Sequence, residues 1–531
     1  MISKSLKNTS FISIFIFSIL LSIILNYFFS VRFEENDDVV MLLISSGKYS
    51  GTIDNHLVFI NFIFGSFLNL FYSFSTEIEW YTISFIALNT LAISLIAKLI
   101  FKSSYSIIFK IVLLLFLFSI FINFSVALQF TRTAAILSIA GLSVIYNTKY
   151  KYVGALVFVF GTLIRFEAAI LILLISLPLF LLSTKNLKDY IFNKNFRIII
   201  FTLLISIFFK MGDYTYYYID SDWKSFMEYN ELRGKINDNP NAKNSSLKLP
   251  KNILLQDYQL LQSAHTNLSA ITYNELEQIY QSIDERSLWQ KINNSKSLIG
   301  KYRNYLLLVT LVTFLFFYQN KEQRFKILLT FFIFMGLLFY ISLNANVKPR
   351  VFYSAFFAVM FFLIYLNERR VIGLINLTIF ILILSFSGKI LYKSYKIERS
   401  NKLLENTFNK QSELINEYLK GKNKLIPFGT SYRIEHSNPF CLSSTFPSQK
   451  ILFSGWLTNI PLNKDKFDSF KYYIDDYSLL INASSAEFIP LLISSSLLRQ
   501  NNIKVLSKII VNEQNVSIIE FRTDTTKANK K

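Results

Sequence analysis

The stretch that decides the fold lies near the N-terminus, where residues 11–29 read FISIFIFSILLSIILNYFF and residues 34–38 read EENDD. The first run is long and apolar enough to cross a bilayer. The second places four carboxylates within five positions beside a membrane surface, where they repel one another and are costly next to lipid. Such a cluster needs a cation, a basic partner or a reaction, although a solvated acidic loop could have the same sequence.

Apolar runs of similar length recur along the 531 residues, of which 52% are hydrophobic and only 17% are charged. This composition predicts a polytopic membrane protein rather than a soluble globule. The net charge of +20 does not indicate a nucleic-acid partner. Many basic residues occupy short loops between apolar runs, where positive charge sets membrane topology, and no nucleic-acid-binding motif accompanies them. The single cysteine, Cys441, excludes an intrachain disulfide and a cysteine-based metal cluster.

Hydrophobicity predicts about eleven transmembrane helices. They cover residues 11–30, 80–100, 108–127, 132–147, 152–165, 168–183, 197–210, 303–318, 326–343, 351–366 and 371–391. A further apolar stretch, 57–74, is predicted to lie along the membrane surface, because counting it as a span would turn the basic loops outward. The N-terminus is then cytoplasmic and the C-terminus extracytoplasmic. Bulky residues at 26–29 indicate that the first run is an uncleaved signal anchor.

The predicted fold class is an all-α polytopic integral membrane protein with a small extracytoplasmic α/β domain at its C-terminus. Residues 1–210 form a transmembrane module, whose first external loop, 31–79, carries the acidic cluster and two short helices. An aromatic-rich extracytoplasmic loop follows at 211–302, and further spans occupy 303–391. Residues 392–531 form the α/β domain. Its predicted elements are an amphipathic helix at 402–419, strands at 425–428, 479–483, 504–511 and 517–521, and a helix at 487–499.

Ionisable residues gather at the predicted outer ends of the spans and are almost absent from their middles. This distribution favours an enzyme acting on a lipid with a polar head over an ion-coupled transporter, which usually keeps charges near the midplane. Sugar transfer from a lipid-phosphate donor needs a carboxylate that deprotonates the acceptor and cations that stabilise the leaving phosphate. Asp37 or Asp38 is the candidate base. The candidate substrate-binding residues are Asp54, His56, Arg132, Arg165, Glu167, Lys348 and Arg350.

The basic candidates also have purely structural interpretations. Arg132 and Arg165 could be interfacial anchors, and Glu167 could serve only to pair with Arg165. The turn at 348–350 could simply begin a helix, because proline is favoured in the first turn. No ligand spacing among the histidines predicts a metal site. The need for a cofactor stays open, because clustered carboxylates can bind a divalent cation but do not require one.

The layout resembles the GT-C superfamily of membrane glycosyltransferases, particularly the branch with protein O-mannosyltransferases and lipid A aminoarabinose transferases. The resemblance rests on seven spans with a long first external loop and on three short motifs. The motifs are Asn36-Asp37-Asp38-Val39-Val40-Met41, Ser46-Gly47-Lys48-Tyr49 and Asp54-Asn55-His56. It implies a GT-C-like seven-span module and an inverting transfer from a polyprenyl-phosphate-linked sugar. In that plan Asp37 is the general base, and Asp38 orients the acceptor or assists a metal.

This chain departs from that branch at two places. Its acidic pair is Asp-Asp, where the branch commonly has Asp-Glu, and the Lys-Pro-Pro run before the second surface helix is absent. The resemblance therefore does not identify the sugar. The sequence predicts a bacterial inner-membrane glycosyltransferase that uses a polyprenyl-phosphate-sugar donor and a lipid-linked or cell-envelope glycan acceptor.

Three alternative functions remain open from the sequence. A polymerase or ligase of oligosaccharide repeat units would rely on arginines in external loops rather than on Asp37. A lipid-linked glycan flippase or transporter would need a polar path through the membrane, which the charge-poor spans do not offer. A non-catalytic scaffold would depend on the C-terminal domain.

Overall fold

The computed structural model describes residues 10–181, 193–239, 249–262, 271–283, 288–366 and 374–420 of the helical region. In the C-terminal region it describes 424–427, 432–441, 448–453, 455–457, 459–466, 476–482, 503–506 and 516–523, together with the single residues 242 and 468. Within these ranges the chain is mostly helical, and strands are few.

The described ranges contain sixteen α-helices. They are α1 Phe11–Phe28, α2 Asn36–Ser45, α3 Phe62–Tyr72, α4 Trp80–Lys102, α5 Ile107–Val126, α6 Phe130–Asn147, α7 Lys151–Ile164, α8 Phe166–Leu181, α9 Lys194–Ile219, α10 Ser221–Asp238, α11 Leu255–Gln262, α12 Tyr273–Ile283, α13 Leu288–Gln319, α14 Arg324–Asn344, α15 Pro349–Leu366 and α16 Leu374–Tyr418.

Seven of the described helices are long and apolar enough to cross a membrane: α1, α4, α5, α9, α13, α14 and α16. Four shorter apolar helices, α3, α7, α8 and α15, accompany them. The chain is therefore a helical, multi-pass membrane protein. The larger count of eleven spans and the orientation of the termini stay predictions.

Two helices continue past the predicted ends of their spans. Helix α9 extends to Ile219 rather than ending near 210, so the tyrosines at 214–218 are helical. Helix α16 runs from Leu374 to Tyr418 without a break, so the amphipathic helix predicted at 402–419 is not a separate element. The reason is physical: falling hydrophobicity marks where a helix leaves lipid, whereas a helix ends only where a breaker or cap interrupts it.

The first loop folds against the helices and contains both predicted short helices, α2 and α3. Before α2, strand β1 (Arg32–Phe33) pairs in parallel with β2 (Ala127–Leu128), which lies between α5 and α6. After α2 the chain reverses at Gly47, whose φ of +76° lies in the left-handed region. A Cβ there would meet the backbone nitrogen of Ile53 at 2.8 Å, so this reversal requires glycine.

The C-terminal region contains a four-stranded mixed sheet in the order β3-β4-β6-β5. Its strands lie within a few residues of the four predicted positions: β3 Lys424–Pro427, β4 Tyr477–Asn482, β5 Ile503–Leu506 and β6 Val516–Thr523. Strands β3 and β4 are parallel, and β6 is antiparallel to both of its neighbours. The helix predicted at 487–499 lies outside the described residues.

The C-terminal region packs directly on the first loop. The Tyr49 hydroxyl donates to Asn463 Oδ1 at 2.5 Å, and Lys466 Nζ donates to the Tyr49 carbonyl at 3.1 Å. The Lys466 ammonium also lies 4.1 Å from the centre of the Tyr49 ring. Burial lowers the pKa of Lys466 to about 7. This contact brings C-terminal side chains next to the acidic cluster.

Candidate active site

The acidic cluster opens helix α2, and helical geometry sends its two aspartates to different sides. Consecutive residues of an α-helix are rotated by about 100°. Asp38 is only 1% exposed, whereas the Asp37 side chain keeps 16% of its surface exposed. Asp37 is therefore the aspartate that a ligand can reach.

Asp38 is fixed inside the protein by two hydrogen bonds. Its Oδ1 accepts one from the Tyr81 hydroxyl at 2.9 Å and one from the Phe130 backbone N–H at 3.2 Å. Its Oδ2 is buried without a hydrogen-bond partner among the described residues. Burial raises the pKa of Asp38 well above the ordinary carboxyl value. Asp38 therefore joins α2 to the first turns of α4 and α6 and does not face a ligand.

Asp37 is partly exposed to solvent, and nearby charged groups shift its pKa. The Arg350 guanidinium lies 3.9 Å from Asp37 Oδ2, and the Trp456 side chain forms a hydrogen bond with the carboxylate. Burial raises the pKa of Asp37; Arg350 opposes this shift and Glu35 adds to it. A general base works best when its pKa approaches the working pH. Asp37 therefore has the properties expected of a base.

Two predicted arginines interact with Asp37, and each is already paired with a glutamate. Arg350 Nη1 lies 3.1 Å from Glu35 Oε1, and Arg165 Nε lies 2.9 Å from Glu167 Oε2. Arg165 also interacts electrostatically with Asp37. The two come from different elements, the start of α15 and the end of α7, so the fold rather than the sequence assembles them.

Two further side chains interact with Asp37 and were not predicted from the sequence. Arg233 of α10 interacts electrostatically with Asp37, and its Nη2 donates to Asn230 Oδ1 at 2.8 Å. Trp456 of the C-terminal region packs edge-on against Phe59 with ring centres 5.0 Å apart. We call the group formed by Asp37, Arg165, Arg233, Arg350 and Trp456 the Asp37 cleft.

Lys348 lies outside the Asp37 cleft, although it is two residues from Arg350. Its Nζ pairs with Asp238 Oδ1 at 2.9 Å, and both side chains are about half exposed. Glu167 faces Lys210 at 3.8 Å as well as Arg165. In this structure both residues take part in ion pairs rather than facing Asp37.

Asp54 and His56 form a dyad near the other end of α2. Asp54 Oδ1 lies 2.7 Å from His56 Nδ1 and also accepts from the His56 backbone N–H at 2.7 Å. The imidazole stacks on Trp223, with centres 4.1 Å apart, and on Tyr216 at 4.6 Å. With Nδ1 directed at the carboxylate, Nε2 is the ring nitrogen left for a ligand. The dyad is preorganised by its aromatic neighbours.

The backbone just after this dyad is strained. Val58 has a φ of +64°, which is rare for a β-branched residue. Its N–H donates to the Tyr217 hydroxyl at 2.7 Å, which helps to hold the unusual conformation. Backbone strain of this kind concentrates at functional sites.

Arg132, the remaining predicted arginine, is almost fully buried. Its Nη2 lies 2.5 Å from Glu34 Oε1, and its side chain is 4% exposed. Its guanidinium carbon lies 5.6 Å from the centre of the Phe124 ring. Arg132 is therefore not a lipid-facing anchor in this structure.

Within the described ranges, no group of three or more histidine, cysteine, aspartate or glutamate side chains is arranged to hold a metal ion. Comparison with family models, with curated proteins and with solved structures finds no match to this chain.

Proposed function

We propose that this chain is a glycosyltransferase of a bacterial inner membrane, built on a GT-C-like plan with eleven spans, a cytoplasmic N-terminus and an extracytoplasmic C-terminal domain. It moves a sugar from a polyprenyl-phosphate-linked donor to a lipid-linked glycan or cell-envelope polysaccharide. The observation that carries the proposal is Asp37, a partly exposed carboxylate with a raised pKa that lies 3.9 Å from the Arg350 guanidinium. Arg165 and Arg233 also interact with it electrostatically.

In the proposed reaction Asp37 takes the proton from the acceptor hydroxyl as its oxygen attacks the anomeric carbon. The bond between that carbon and the donor phosphate oxygen breaks with inversion, and the phosphate leaves with the bonding electrons. Guanidinium groups favour this step, because they form paired hydrogen bonds with phosphate oxygens as negative charge develops.

The proposal is tested by an Asp37→Asn substitution in the full chain, purified and reconstituted in lipid nanodiscs. The assay supplies radiolabelled polyprenyl-phosphate hexoses and pentoses with lipid-linked glycan acceptors. We expect a loss of about 10²–10⁴-fold, the usual contribution of a general base. The matched control is Asp222→Asn, which removes an exposed carboxylate paired with Lys464. Undiminished transfer by the Asp37 variant would remove Asp37 as the base.

A polymerase or ligase of repeat units is the second candidate, because the arginines of the Asp37 cleft are the groups that such an enzyme would use. The two functions predict opposite rankings of variants. The glycosyltransferase predicts that Asp37→Asn is more damaging than Arg233→Gln, whereas the polymerase predicts the reverse. Analysis of cell-surface glycan length in cells that express each variant distinguishes the two rankings.

A further inference from the structure

A second charged group lies next to the Asp37 cleft and consists of Glu34, Arg132, Tyr353 and Lys393; we call it the Arg132 cluster. Lys393 Nζ donates to the Tyr353 hydroxyl at 2.7 Å, and the Arg132 guanidinium carbon lies 5.7 Å from the centre of the same ring. Arg132 and Glu34 also interact electrostatically with Lys393. Tyr353 is one helical turn from Arg350 on α15, so the cluster adjoins the cleft.

The hydrogen bonding of this cluster is incomplete. Arg132 Nε and Nη1 and Glu34 Oε2 are buried without a hydrogen-bond partner among the described residues. Buried charged groups normally satisfy their hydrogen-bonding capacity, and leaving a donor unpaired is costly. Arginine and carboxylate groups that match well usually form two parallel hydrogen bonds, whereas this pair forms one. The Glu34 carboxylate is therefore a poor fit for Arg132.

A tetrahedral phosphate fits these donors better than the carboxylate does. The guanidinium keeps two unused nitrogens, and the Lys393 ammonium lies 4.3 Å from the centre of the same Tyr353 ring that Arg132 contacts. The Tyr353 hydroxyl itself is already used, since it accepts from Lys393 and donates to Tyr305 at 3.4 Å. Without Glu34, the two cations would give a charge of +2, which suits a phosphate monoester or diester. The Glu34 side chain is 21% exposed, so it has a route to solvent.

The arginines of the Asp37 cleft differ in this respect. Its three arginines all interact electrostatically with the Asp37 carboxylate, whose negative charge would oppose a phosphate. Arg132 alone among the predicted arginines has a buried guanidinium with two unused nitrogens. The cluster is thus the better place for an anion, and the cleft the better place for a base.

We propose that the Arg132 cluster binds the phosphate of a polyprenyl phosphate, and that Glu34 occupies Arg132 until the phosphate displaces it. The identity of the lipid rests on the proposed function; the phosphate chemistry rests on the cluster. The phosphate would then lie one helical turn of α15 from the Asp37 cleft, which places a lipid-phosphate end beside the candidate base.

The experiment measures binding without turnover. Full-length protein in phosphatidylcholine nanodiscs is titrated with a polyprenyl monophosphate, with the uncharged polyprenol and, separately, with inorganic phosphate. We expect Arg132→Gln and Lys393→Gln each to weaken polyprenyl-phosphate binding by about tenfold or more, as for a lost charge-assisted hydrogen bond. The control, Lys396→Gln, removes a lysine of the same helix whose ammonium lies over the Tyr392 ring and should leave binding unchanged.

A fourth variant tests the exchange itself and guards against misfolding. Glu34→Gln removes the competing charge, so we expect it to bind polyprenyl phosphate at least as tightly as the native chain. Equal binding of polyprenol and polyprenyl phosphate, or native affinity in both the Arg132 and Lys393 variants, would overturn the proposal. So would weaker binding by a folded Glu34→Gln protein, because Glu34 would then assist the ligand.

The two sources of phosphate give different results in this assay. Displacement of the lipid by millimolar inorganic phosphate, with equal affinity for both, would assign the cluster to free phosphate and overturn the lipid part. Sugar transfer is measured separately. Charge-dependent lipid binding without sugar transfer would leave this inference standing and count against the proposed function. Sugar transfer by a protein whose Arg132 and Lys393 variants bind the lipid with native affinity would support the proposed function and overturn this inference.

Discussion

The two sides of helix α2 have different surroundings, although each carries one of two adjacent aspartates. On one side Asp37 is partly exposed, lies 3.9 Å from Arg350 and interacts electrostatically with Arg165 and Arg233. On the other side Asp38 is enclosed and accepts hydrogen bonds from Tyr81 and Phe130. Adjacent, chemically identical side chains can thus have separate roles, because a rotation of about 100° leaves one partly exposed and places the other in the core.

The two aspartates therefore have different roles: Asp37 is the candidate reactive group, and Asp38 positions it. Burial raises the pKa of Asp37, and Arg350 and Arg165 oppose that shift, so the charge of Asp37 responds to these arginines. Burial raises the pKa of Asp38 as well, but its carboxyl group accepts hydrogen bonds from Tyr81 and Phe130 and so holds helices together. Asp38 is best regarded as the residue that fixes where Asp37 lies.

The largest expected effect on this comparison is a loss of stability when Asp38 is substituted. Asp38→Ala leaves the Tyr81 hydroxyl and the Phe130 N–H without their acceptor, and we expect a destabilisation of about 3 kcal/mol. Asp38→Asn keeps an acceptor oxygen and should retain sugar transfer within about tenfold, since it loses no general base. Thermal unfolding and transfer assays in the same nanodiscs measure both. Stronger inactivation by Asp38→Asn than by Asp37→Asn would reverse the assignment.

The same pair has a pH signature. The pKa of Asp38 is higher in the folded protein than in the unfolded chain, where it is near 4. The contribution of Asp38 to stability is therefore fully present below that unfolded pKa and is lost as pH rises through the folded pKa. The amide of the Asp38→Asn variant cannot ionise, so the thermal midpoint of that variant should improve relative to the native chain as pH increases. A constant difference between the two midpoints at all pH values would show that Asp38 does not titrate.

A smaller effect is expected at Arg350, on the cleft side. Arg350 lowers the pKa of Asp37 against the effect of burial, so Arg350→Gln should raise that pKa further. Because the base must be ionised, the acid limb of the pH–rate profile should move to higher pH, and activity should fall most under mildly acidic conditions. Arg350→Lys keeps the charge and should keep the limb in place. An unmoved limb in Arg350→Gln would mean that Asp37 does not control it.

The sequence predicted the helical membrane class and the short helices of the first loop, because apolar runs and turn residues are local signals. The residues alone did not separate Asp37 from Asp38; only the resemblance to the GT-C superfamily assigned the base to Asp37. Residues 38–45 are all buried, so α2 has no amphipathic pattern from which the two sides could be read.

Arg233 and Trp456 could not be predicted for a different reason. They reach Asp37 from α10 and from the C-terminal region, across roughly 200 and 400 positions of sequence. No local spacing reports such contacts, since they depend on tertiary packing. The only sequence signals were an arginine within an aromatic-rich segment and a tryptophan after a glycine, and neither pattern is specific.

The smallest effect is expected at Lys348. At the start of α15, as in α2, two residues close in sequence have different partners. Arg350 turns toward Asp37, whereas Lys348 pairs with Asp238 in a half-exposed ion pair. Such pairs contribute at most about 1 kcal/mol, so Lys348→Gln should change the thermal midpoint only slightly. Its KM for the lipid donor should stay within about twofold of the native value, since the side chain faces away from the cleft. A tenfold rise in KM at unchanged stability would instead mean that Lys348 leaves Asp238 to contact the donor, and the cleft would then include both ends of the Lys348-Pro349-Arg350 turn.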